Sequence, residues 1–123
     1  MSNVANSSLT LTASVNGSLT QISSSAQFTM AGGNAALLTM TVTTTPTAIP
    51  IGAAATIGKI AIKVLTGSGT QHVVVSLDNA GPPTQVVSDI PEGEGILLVK
   101  PPATLYASVN TGTIQIQYGV AER

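Results

Sequence analysis

Cysteine is absent from this 123-residue chain, which excludes disulfides, thiolate metal sites and cysteine nucleophiles. Tryptophan is absent too, and a single histidine, His72, is too little for most metal centres or catalytic constellations. Charge is scarce: Asp, Glu, Lys and Arg make up 7% of the residues, against about 25% in an ordinary soluble domain. A net charge of −1 with only 4 cations excludes an electrostatic nucleic-acid binder, which needs several Lys or Arg along a phosphate track. Long apolar runs are missing as well. Ala53–Ala55 and Ile96–Val99 are far too short to span a bilayer. The opening MSNVANSSLTLTASV lacks the basic and apolar regions of a secretory signal. The expectation is a chain made and folded in a cytosol, with no membrane and no nucleic acid among its partners.

What is present is a 43% hydrophobic share, ordinary for a globular protein, in a length that suits one domain. Mean hydropathy is positive (+0.41) because charge is missing, not because an apolar helix is present. Short alternating runs separated by turn residues predict an all-β fold. Leu9, Leu11, Ala13 and Val15 alternate with Thr10, Thr12 and Ser14, one apolar and one hydroxyl face of a strand. Asn16-Gly17 then predicts a type I′ hairpin turn, whose two central residues both need positive φ. The return strand changes phase between Leu19 and Ile22, so Ser23-Ser24-Ser25 is expected to mark a bulge or a break. Ala31-Gly32-Gly33-Asn34 is expected to turn the chain.

Further on, Leu38, Met40 and Val42 alternate with Thr39, Thr41 and Thr43, and the Pro46–Pro50 connector reads as a sheet edge or crossover. Ile60, Ile62 and Val64 are expected to face inward and Lys59, Ala61 and Lys63 outward. Val73, Val75 and Leu77 form the next inward set, followed by a strand near Gln85–Ile90. The continuous run Ile96–Val99 suits a strand buried on both faces or at an interface. Leu105–Val109 and Ile114–Val120 close the chain, the latter with Ile114, Ile116, Tyr118 and Val120 on one face. The resulting fold class is a single antiparallel β-sandwich, jelly-roll-like, of about eight strands. Residues 1–8 are expected as a flexible N-terminal arm and residues 9–123 as the one sandwich domain.

No catalytic, cofactor or metal residue emerges from this pattern. His72, Ser76 and Asp78 share one parity, but His72 and Ser76 would lie roughly 13 Å apart along a strand, beyond reach of a triad. Asp89, Glu92 and Glu94 cluster near the Pro91–Gly95 turn, but three carboxylates at this spacing match no EF-hand loop. They are expected as solvated turn residues near Lys59, Lys63 or Lys100. Gly67-Ser68-Gly69 and Gly93-Glu94-Gly95 lack the following helix of a phosphate cradle and read as turns. Asn6-Ser7-Ser8 and Asn16-Gly17-Ser18 match the glycosylation pattern but lack a secretory signal. Of the three aromatics, Phe28 and Tyr118 are expected in the core, which leaves little for a stacking platform around Tyr106.

The scarcity of charge itself points to covered surfaces. Ionised side chains are costly to bury at an interface, whereas Thr, Ser, Asn and Gln hydrogen-bond there at lower cost. Free-standing proteins protect sheet edges with charge, especially Lys, and no such residue interrupts Thr10 to Thr56. An assembly component is therefore expected, with Val4, Leu9, Thr39, Thr41, Thr43, Pro46, Ile49 and Ile51 at its contacts.

Five segments carry a resemblance: Ile57–Lys63, His72–Asp78, Ile90–Glu94, Leu105–Thr111 and Ile114–Tyr118. Their succession resembles small β-sandwich virion proteins of tailed bacteriophages, which show a Gly-Glu turn before an apolar strand and a Leu-Tyr-Ala-x-x-Asn-Thr segment near the C-terminus. Lys63-Val64-Leu65 departs from the Lys-Asn-Leu-like segment of those proteins by lacking the Asn. The resemblance spans residues 57–120 and carries over no active site. It implies a non-enzymatic structural protein of the virion, made in the host cytoplasm. The leading expectation is an oligomeric capsid decoration (cement) protein, partnered by itself and by the major capsid protein. A tail, neck or baseplate component, or a receptor- or carbohydrate-binding module, is the alternative.

Overall fold

A computed structural model of the chain describes residues 4–29, 35–50, 57–99, 101–102 and 104–122. These residues form ten strands: β1 (Val4–Val15), β2 (Ser18–Thr29), β3 (Ala35–Val42), β4 (Thr47–Ala48), β5 (Ile57–Val64), β6 (His72–Ser76), β7 (Val86–Pro91), β8 (Gly95–Val99), β9 (Tyr106–Val109) and β10 (Ile114–Glu122). All ladders are antiparallel.

β1 and β2 pair only with each other. Their turn has positive φ at both Asn16 (51°) and Gly17 (81°), as the type I′ geometry requires. The register then runs unbroken from Val15↔Ser18 to Val4↔Thr29. The break expected at Ser23–Ser25 does not occur: these serines lie opposite Thr10, Leu9 and Ser8 in the continuous ladder. The phase change has another origin, because Leu19 sits opposite Ser14 on the hydroxyl face while Ile22 sits opposite Leu11 on the apolar one. Residues 4–8, read from the sequence as arm, are the first part of β1. Phe28 and the Ala31–Asn34 turn lie among residues whose side chains or backbone are outside the described set.

The remaining eight strands form two sheets, β3-β10-β5-β8 and β4-β9-β6-β7. The chain switches sheets at nearly every step, stays within one only for the β6–β7 hairpin, and returns its last strand beside β3. That winding is a jelly roll, two four-stranded sheets whose inner faces share one core. Alternation explains the packing. Ile60, Ile62 and Val64 of β5 and Ile114, Ile116, Tyr118 and Val120 of β10 are buried from one side. Val73 and Val75 of β6, Ile90 of β7, and Ala107 and Val109 of β9 meet them from the other. Burial pushes the Tyr118 phenol above the ordinary phenol range.

Three local expectations need correction. Leu77 is 44% exposed: β6 ends at the buried Ser76, and Leu77 lies beyond the strand. β8 is an edge strand: Ile96 and Leu98 pack on the core, but Val99 is 60% exposed. It is therefore not buried on both faces within this chain. Ile49, expected on a contact surface, lies in the core at 4% exposure. It directly follows β4, the short strand at the edge of the second sheet to which the chain crosses from β3. Its amide donates to the Leu105 carbonyl at 2.8 Å, which turns the side chain inward.

Candidate interaction surface

The β1–β2 ribbon divides cleanly by parity. Cross-strand partners share a face, so Leu9 and Leu11 align with Ser24 and Ile22. Leu9 (59%), Leu11 (64%) and Ile22 (65%) are exposed on that face. The opposite face carries Ser8, Thr10, Thr12 and Ser14 against Ser25, Ser23, Gln21 and Leu19. An isolated two-stranded ribbon is marginally stable in water, so such a ribbon normally rests on something.

Its base rests on this chain's own jelly roll. Asn6, Ser7, Ser8 and Leu9 face the outer surface of the first sheet across an open cleft of about 580 Å³. Ala61, Leu97 and Gly119 lie at its floor, where the small residues Ala61 and Gly119 let the ribbon approach. The Lys59 ammonium donates to the Ser7 hydroxyl. Farther along the same sheet surface, Thr39 and Thr41 of β3 register with Gln117 and Gln115 of β10, and all four are exposed. The result is a row of neutral hydrogen-bonding side chains beside the apolar cleft.

Of the remaining expected contact residues, Thr43 is exposed. Its hydroxyl accepts from the Thr45 amide at 3.3 Å. Pro46 is half-buried. Val4 is paired with Thr29 in β1, but its side chain lies outside the described residues, as does all of Ile51. The exposed faces of Leu9, Thr39 and Thr41 are thus grouped on one side of the molecule, and Ile49 is removed from the set.

The polar residues singled out from the sequence are dispersed. His72 Nδ1 lies 2.6 Å from Asp89 Oδ1 on the outer face of the second sheet. Ser76 is buried, and its hydroxyl donates to the Asp78 carbonyl at 2.9 Å. The Asp78 carboxylate accepts from the Thr84 hydroxyl (2.6 Å), the Thr84 amide (3.1 Å) and the Gln85 amide (3.2 Å). The Thr84 hydroxyl bond is the largest cause that holds this carboxyl below its ordinary 3.8. Glu92 accepts from the Gly67 amide at 2.9 Å, and Glu94 is exposed. The structure therefore separates Asp89, Glu92 and Glu94, and no cluster of metal-ligating residues occurs among the described residues.

Sequence reasoning missed Gln71, the main polar tie at one end of the roll. It is buried, donates to the Thr111 carbonyl (2.8 Å) and the Thr113 carbonyl (2.9 Å), and accepts from the Ser68 amide (3.0 Å). A lone Gln before a strand carries no sequence signal for this. Comparison with known proteins gives no match, whether to family models, curated proteins or solved structures.

Proposed function

We propose that this protein is a structural component of a bacteriophage virion, an oligomeric decoration protein that stabilises the capsid through neutral contacts. The observation that carries the reading is the exposed apolar ribbon face within a stretch free of charge. Lys59 is the first charged side chain in the chain, so the ribbon, β3 and the crossover contain none. Burying those surfaces against a neighbour removes no ionised group from water, which is the largest cost an interface can carry.

The jelly roll supports the reading by analogy of architecture, since the fold recurs in viral capsid domains; it also occurs in lectins. The similarity of residues 57–120 to small virion proteins points the same way. In this role the chain binds further copies of itself and the capsid protein, with the ribbon, Thr39 and Thr41 at the contacts. Shell stability then grows with the apolar area that adjacent subunits remove from water.

Imaging of purified virions from a phage that encodes this chain tests the reading. The expected density is a jelly roll repeated about the local symmetry axes of the head, with a copy number to match. Density about the tail axis moves the protein to the tail. Its absence from the particle overturns the virion assignment.

A further inference from the structure

The turn that joins β1 to β2 holds a chemically reactive pair of residues at an open point of the ribbon. Asn16 and Gly17 are both exposed, and a Cβ built at Gly17 would meet nothing within 4 Å. The hydrogen bond that closes a two-residue turn joins its flanking residues, here the register pair Val15↔Ser18, and does not use the Gly17 amide. Gly17 has no side chain to shield that nitrogen from the adjacent Asn16 carboxamide. Every other asparagine (Asn3, Asn6, Asn34, Asn79 and Asn110) precedes a residue that carries a Cβ. The Asn110 carboxamide is also held in place. It accepts from the His72 amide at 2.9 Å and donates to the Thr70 carbonyl at 3.2 Å.

We infer that Asn16 is a self-modification site, converted to aspartate and isoaspartate after attack by the Gly17 amide nitrogen. A bond forms from Gly17 N to Asn16 Cγ and the Cγ–Nδ2 bond breaks. Nδ2 leaves as ammonia, carrying the proton lost from the Gly17 amide. Water then opens the cyclic imide, its hydroxyl going to a carbonyl carbon and its proton to the nitrogen. Opening at Cγ yields aspartate; opening at the Asn16 main-chain carbonyl carbon yields isoaspartate, with one extra backbone atom in the turn. The step needs only water, and the ribbon sets its rate. Ring closure rotates the Asn16–Gly17 peptide out of a turn in which both residues hold positive φ (51° and 81°), so the tip must open first. β1 and β2 pair only with each other, and a lone two-stranded ribbon is marginally stable, so this opening costs little. The product places a carboxylate at the tip of a ribbon that has no charged side chain, since Lys59 is the first in the chain. The inference goes beyond the assembly reading and does not depend on it.

The test holds the folded full chain at mildly alkaline pH for days and follows each asparagine by tandem mass spectrometry. Position 16 is expected to gain about 1 Da as NH2 gives way to OH, with isoaspartate among the products, while Asn6, Asn79 and Asn110 keep their mass. Gly17→Ala strains a turn whose φ there is 81°, and so opens the tip more often. Its added methyl hinders the attacking nitrogen, however, and the mass gain is expected to be suppressed. Ser14→Cys combined with Leu19→Cys places two thiols opposite each other beside the turn, in a chain with no other cysteine. With that disulfide closed, conversion is expected to be at least about tenfold slower than in the reduced form of the same variant. Asn16 intact in the folded chain, over a period in which a synthetic peptide of residues 12–21 converts, overturns the inference. Undiminished conversion in Gly17→Ala, or equal rates in the oxidised and reduced forms, overturns it as well.

Discussion

Lys59 donates a hydrogen bond to Ser7, joining the ribbon to the outer face of the jelly roll across 52 positions of sequence. It is the first charged side chain in the chain, and it is spent on an internal tie at the ribbon's base. The bond sets where the ribbon leaves the sheet, and hence which part of its apolar face remains open.

Replacing this tie tests that role. Lys59→Met keeps the aliphatic stem and removes the donor, a loss of about 1 kcal/mol for a partly exposed hydrogen bond. Amide exchange in residues 5–9 of β1 is expected to accelerate by roughly that energy, about fivefold, while β5 and β10 core amides keep their protection. Equal acceleration in ribbon and core would mean that Lys59 supports the whole fold instead.

Gly67 is expected to tolerate no side chain. A Cβ there would meet Gln71 Oε1 at 2.0 Å, Glu92 Oε2 at 2.8 Å and Ile114 Cδ1 at 2.9 Å. Gln71 cannot swing away without surrendering its bonds to Thr111, Thr113 and Ser68. Gly67→Ala should therefore lower stability by about 1–3 kcal/mol, through overpacking and unsatisfied buried polar groups. Thermal unfolding measures it, and an unchanged Tm would show that the Gln71 tie is dispensable.

Acid should weaken the loop that Asp78 closes. The folded carboxyl holds its proton less tightly than the unfolded one, whose pKa is near 3.8, because Thr84 and Gln85 donate to the charged form. Its contribution is thus fully present above the unfolded pKa and lost as pH falls through the lower folded value. The Tm advantage of the natural chain over Asp78→Ala is expected to be constant from about pH 7 to 5 and to shrink below about pH 4. An advantage that persists unchanged to about pH 2 would assign it to packing instead.

Alternation was enough to assign the jelly-roll strands and most of their inward faces. A period of two along β5 and β10 leaves only one way to place Ile60, Ile62, Ile116 and Tyr118 inside. Asn16-Gly17 was equally legible, since few residue pairs accept two positive φ angles at low cost. Leu77 was not, because β6 ends one residue before it, where the partner strand β7 carries an extra residue, Val87, in the ladder. Nor was the His72–Asp89 pair, whose members meet only when β6 and β7 align.

The amino-acid sequence alone determined that the fold is all-β, where its first hairpin turns, and that the N-terminal stretch would be free of ionised groups. Those are local properties: backbone preference, side-chain period and composition are present before any long-range contact forms. Only the tertiary structure decided that residues 4–8 belong to a ribbon strand, that Ile49 turns into the core, and that the carboxylates near Pro91 part company. Each depends on which distant strand lies alongside, and that is chosen by the packing of the whole chain.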